Sequence, residues 1–112
     1  SGLDVGARAG TSVYAPVDGR VVGLTPYIID GRPYGERIDI QAARAPSVVV
    51  SLTHVTVLES LSVGSTVVAA QTHLGTVTDL SGVEQQSLAR FTNDAGNHVA
   101  IEVRPAATSA LS

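Results

Sequence analysis

Apolar residues in this chain fall at alternate positions over short stretches, and turn-forming residues separate the stretches. Residues 36–41 show the rule: Ile38 and Ile40 are set for one face, Arg37, Asp39 and Gln41 for the other. Residues 98–104 repeat it, with Val99, Ile101 and Val103 on a core face and His98, Ala100, Glu102 and Arg104 opposite. The pattern predicts strands near 12–17, 20–25, 36–41, 47–54, 66–70, 73–79 and 98–104, hence an all-β fold, a sandwich or barrel of antiparallel strands. Asp18-Gly19 is the sharpest turn signal and predicts a tight hairpin between the first two strands. The segment 25–34, with two prolines and an Asp-Gly pair, predicts a loop or splayed hairpin leaving the sheet. Its tyrosines either wall a cleft or shield the barrel's edge. Ser81-Gly82-Val83-Glu84 has capping-box spacing and predicts one short helix through Arg90.

The chain has 112 residues, which suits one domain over 1–104 followed by a frayed, aperiodic tail over 105–112. Hydrophobic residues make up 44%, mostly Val, Leu, Ile and Ala, so the core is aliphatic. There is no cysteine, which excludes disulfides and thiolate-bound zinc. All seven basic residues are arginines, scattered against a net charge of −3, so no basic stripe exists to follow a nucleic-acid backbone. The absence of lysine excludes the lipoyl and biotinyl carrier domains, which share such sandwiches but need a lysine amine. No apolar run reaches the roughly 18 to 20 residues that span a bilayer, so this stretch of chain is not membrane-spanning. No signal-like segment precedes the fold, and the abrupt opening reads as that of a fragment, which leaves export open.

Several stretches carry more specific information. Gly2-Leu3-Asp4-Val5 resembles the end of an H-x-G-x-D motif, Ala9 to Val22 a G-T-P-V-Y-A-A-x-D-G-x-V stretch, and Leu52-Thr53-His54-Val55 a Y-x-H-L motif. Val63 to Val67 and Ala70 to Gly75 are similar to V-x-x-G-D-x-V and G-Q-x-I-G, and His98 to Arg104 to H-L-H-F-E-V-R. In this order the motifs resemble those of the lysostaphin-like (LytM) zinc endopeptidases, which cut peptide bonds in bacterial cell walls. The resemblance implies a barrel-sandwich hybrid of antiparallel strands.

It also implies a site, with departures. The family binds zinc through the His and Asp of the first motif and the second His of the last. Asp4 matches the aspartate; the first His would stand one place before Ser1; the third ligand position is Ala100, whose methyl offers no lone pair. His54 and His98 match the two histidines that hold and deprotonate the attacking water. A hydrolytic zinc needs three protein ligands and an open position, so the resemblance implies a degenerate member without bound zinc. Its glycine-rich loop before the last strand is replaced by the helix-like segment and Phe91 to Gly96.

The expected function is therefore a catalytically inactive binding, regulatory or structural module of a cell-envelope or virion protein. Its partners would be peptidoglycan or an envelope protein, in an extracytoplasmic setting. The alternative is an active zinc endopeptidase with its third ligand from elsewhere, His73 being the spare imidazole. A further arrangement, in which Asp4, His54 and His98 converge on a divalent ion, also stands. At the blander end, Asp4 satisfies a turn, His54 shares strand parity with Val50 and Leu52 as a core residue, His73 is a surface histidine, and Glu102 pairs with Arg104.

Overall fold

The computed structural model describes residues 2–80 and 97–106. These form eight strands, all paired antiparallel: β1 Gly2–Gly6, β2 Ser12–Tyr14, β3 Gly19–Ile29, β4 Arg32–Ala42, β5 Val48–Val57, β6 Thr66–Val67, β7 His73–Val77 and β8 His98–Pro105. The expected all-β class holds. The expected helix over 81–90 and the segment that replaces the glycine-rich loop lie outside the described residues, as do residues 107–112 of the tail. No helix among the described residues is long and apolar enough to cross a membrane.

The main sheet runs β1-β8-β5-β4-β3-β6, and β7 joins it to β2. Strand β5 is the branch point. One of its edges pairs with β4 along most of its length; the other is shared, Val48–Thr53 pairing with β8 and Val55–Val57 with β7. His54 sits between the two halves. Core side chains come from nearly every strand, and Ile38, Ile40, Leu52, Leu74 and Val55 are almost fully buried. Burying each of the larger ones stabilises the fold by about 1.5–3 kcal/mol. The parity of 36–41 is as the sequence predicted for the two isoleucines.

Two turn expectations come out differently. Asp18-Gly19 is not a hairpin, because β2 pairs with β7 and β3 with β4. Gly19 is there for close approach: a Cβ would collide with the Gln41 carbonyl oxygen. Asp18 ties loops together, its Oδ1 accepting from the Ala69 amide at 2.8 Å and its carbonyl from the Ala43 amide at 2.9 Å. The two-residue hairpin belongs to Asp30-Gly31, both at positive φ (50° and 78°), which match the twist of β3 and β4. The segment 25–34 is thus a hairpin, one of the two forms expected, but it prolongs β3 and β4 rather than forming a loop that leaves the sheet.

Strand β1, on which the sequence pattern gave no strand, is an exposed edge strand, with Leu3 62% and Val5 42% accessible. Val103 is no core residue at 44% exposure, since it lies past Glu102, the last residue of β8 in register with described residues of β1. Strand β8 also extends one residue into the expected tail, Pro105 pairing with Val48. On either side of 81–96, Leu80 and Asn97 are tied by a 2.6 Å bond from the Leu80 amide to the Asn97 side chain.

Candidate functional site

In an antiparallel sheet, residues directly opposite on adjacent strands share a face. The registers therefore draw a row across four strand boundaries: Asp4 on β1, Ala100 on β8, Thr53 on β5, Arg37 on β4 and Thr25 on β3. Next to it runs a second row, Gly2, Glu102, Ser51, Asp39 and Gly23. The rows face away from the core set by Ile38, Ile40, Val50 and Leu52. Over them lies a cleft of about 260 Å³ lined by Thr25, Pro26, Tyr27, Arg37, Ser51, Thr53, Ala100 and Glu102.

His54 reaches this face by a backbone irregularity. The register shifts there, Thr53 pairing with Arg37 but Val55 with Glu36, so His54 is the extra residue of a β-bulge. Its φ is +75°, a strained value for a side chain of this size. Before the bulge, even-numbered residues point to the core; after it, Val55 does. Parity with Leu52 thus fails for His54, whose ring meets His98 edge-on at 4.7 Å and Tyr27 at 4.6 Å between centroids. Tyr27 walls the cleft, one of the two roles open to the tyrosines of 25–34.

The His54 imidazole is 5% exposed and both its nitrogens are buried, with the His98 backbone the nearest hydrogen-bonding group that acts on the ring. Burial lowers its pKa from 6.5, and the neighbouring His98 lowers it further; the His98 backbone carbonyl and the Asp4 carboxylate oppose the shift. A histidine whose folded pKa is depressed binds fewer protons folded than unfolded. Its contribution to stability is complete above pH 6.5 and is lost as pH falls from 6.5 through the folded value. His54→Asn, which tolerates positive φ, is expected to flatten the pH dependence of the urea midpoint below 6.5 relative to the parent. Parallel curves for the two proteins would show that His54 does not titrate in this way.

The family's ligand positions are only partly brought together. Asp4 and Ala100 are direct register partners, so the residue opposite Asp4 on β8 carries only a methyl. Asp4, His54 and His98 come near one another, yet among the described residues no three His, Cys, Asp or Glu side chains are grouped to hold a metal ion. His73 supplies nothing here. It pairs with Tyr14 of β2, its ring 5.2 Å from the tyrosine's, on a strand that joins only the far half of β5. It is half-buried rather than on the surface, with its Nε2 buried.

Beside the site lies a charged network that alternation alone did not reveal. Asp39, read as outward, is buried, with its side chain 8% exposed. It accepts from Ser51 Oγ at 2.5 Å and pairs with Arg37 and Arg104, each at 3.3 Å. Arg104 also donates to Ser51 Oγ at 3.3 Å. Arg104 is thus the partner of Asp39 rather than of Glu102. Gly23 makes room, since a Cβ there would lie 2.6 Å from Asp39 Oδ2.

No family model matches this sequence, and no curated protein matches it. Solved structures that share its fold include lysostaphin and Csd3. The solution structure of lysostaphin superposes over 93% of this chain with a TM-score of 0.65 at 16% identity, and Csd3 of Helicobacter pylori over 93% with 0.61 at 20%. The matched region spans 36% of the lysostaphin chain and 23% of the Csd3 chain. The fold is LytM-like.

Proposed function

We propose that this domain is a peptide-binding module of a bacterial envelope or virion protein, built on the LytM fold, that holds cell-wall peptide without hydrolysing it. The observation that carries the reading is Ala100 opposite Asp4: Ala100 lines the cleft with a methyl at the position where the resemblance implies a third ligand, while Asp4, His54 and His98, which resemble the family's aspartate and non-ligand histidines, lie beside it. A carboxylate facing a methyl cannot complete the three-ligand cage that activates water. What the cleft retains suits binding. Its lining sets the Tyr27 ring, the Arg37 guanidinium and the hydroxyls of Thr25, Ser51 and Thr53 around one space, with the His54 imidazole buried against Tyr27. The sequence motifs and the LytM-like fold support peptidoglycan as the source of the peptide, with binding, regulation or scaffolding as the module's role.

Sedimentation with purified peptidoglycan tests the reading. The domain is expected to pellet with the polymer, and an Asp4→Ala, His54→Asn, His98→Ala triple variant to bind about tenfold more weakly. Equal binding by both, or none by the parent, would overturn it. Clearing of cell wall by the parent that a chelator abolishes would overturn its non-hydrolytic half and restore the zinc endopeptidase as the function.

A further inference from the structure

The cleft is electrically lopsided. On the β8 side Glu102 lines it, with Asp4 of β1 next in register beyond Ala100, both exposed; on the β4 side stands Arg37, whose side chain is 46% exposed. Between them the floor is Ala100 and Thr53, too small to fill the space above. Arg37 is held from beneath. Its Nε and Nη2 face the two oxygens of Asp39 at 3.3 and 3.4 Å, which leaves Nη1 outside that fork. Asp39 does not depend on Arg37 for its own satisfaction, since Ser51 and Arg104 hold it as well. A guanidinium oriented by a buried carboxylate, half in solvent and at the end of a trough, is an anion-binding arrangement.

Resting on the peptide-binding reading, we infer that this cleft takes a short extended peptide that ends in a free carboxylate, seated on Arg37. From Arg37 to Asp4 the row crosses three strand spacings, roughly 14 Å, which is the length of an extended peptide of about four residues. The acidic end disfavours the carboxylate there and sets the direction, amino end over Asp4 and Glu102. The middle of the peptide passes the Tyr27 wall, over the floor of Thr53 and Ala100. Arg37 is here a ligand-binding residue, and Asp39 is the residue that positions it.

Tetra-alanine and tetra-alanine amide, titrated separately into the 112-residue chain and followed by amide chemical shifts, separate this from a merely structural ion pair. The free acid is expected to bind at least about fivefold more tightly than the amide, with the largest shifts around Arg37, Thr53 and Ala100. Arg37→Gln is expected to bring the acid down to the level of the amide while leaving the amide unchanged. Equal affinity for acid and amide in the parent overturns the anchor, and that comparison does not depend on how the variant folds. So does an Arg37→Gln variant that weakens both peptides alike, or an absence of shifts in the cleft at about 10 mM peptide. Sedimentation with peptidoglycan alongside equal acid and amide binding would remove the carboxylate anchor and leave the proposed function intact. Failure of both assays would remove both.

Discussion

Ala100→His is expected to raise the affinity of this domain for zinc by about a hundredfold or more, close to 3 kcal/mol of binding free energy. The estimate follows from register. Asp4 and Ala100 are directly opposed on β1 and β8, and opposed residues hold their Cβ atoms about 4.5–5.5 Å apart, within reach of one ion for a carboxylate and an imidazole. Loss of groups that merely orient a ligand costs ten- to a hundredfold in metal affinity, so adding a ligand gains at least the upper end of that range. The fold should tolerate the change, because position 100 is half-buried on the cleft face while the core contact on that strand is made by Val99. Calorimetric titration of parent and variant with zinc is the measurement. An unchanged isotherm would mean that position 100 does not stand where the family's third ligand does, and the proposed non-hydrolytic role would lose its main support.

Asp39→Ala is expected to destabilise the domain by about 2–4 kcal/mol in urea denaturation. The substitution strips the acceptor from a buried Ser51 hydroxyl and leaves Arg37 and Arg104 as neighbouring like charges. Breaking a fully buried pair costs about 3–5 kcal/mol; the two arginines here are 46% and 30% exposed, so water recovers part of that. Asp39→Asn, which keeps an acceptor for Ser51, should cost about 1–2 kcal/mol. A loss below about 0.5 kcal/mol for the alanine variant would mean that the network is a surface ornament of the kind that contributes little.

Asp39 also shows where a one-dimensional reading stops. Its alternation with Ile38 and Ile40 is correct, and it does face away from the core. What alternation does not say is that β3 and β5 flank β4 closely enough to bury that second face. Nor does it say that Ser51 and Arg104, twelve and sixty-five positions away, complete its surroundings. The same holds for Tyr27, placed against His54 by a hairpin whose turn is Asp30-Gly31.

The pattern of apolar positions was enough, by itself, to determine that this protein is built of antiparallel strands around Ile38, Ile40, Leu52 and their neighbours, because period two and burial are local properties of a strand. The identity of position 100 was likewise settled by the chain alone: alanine has no donor wherever it is placed. Register and bulge were decided only by the tertiary structure, since each depends on which strand lies alongside. The branching of β5 between β8 and β7 goes with a bulge at His54, and that bulge turns a residue of core parity into one buried against Tyr27 and His98. The gathering of Arg37, Asp39, Ser51 and Arg104 follows from the same pairing, because hydrogen-bonded neighbours are chosen by packing over the whole sheet and not by the spacing of residues along it.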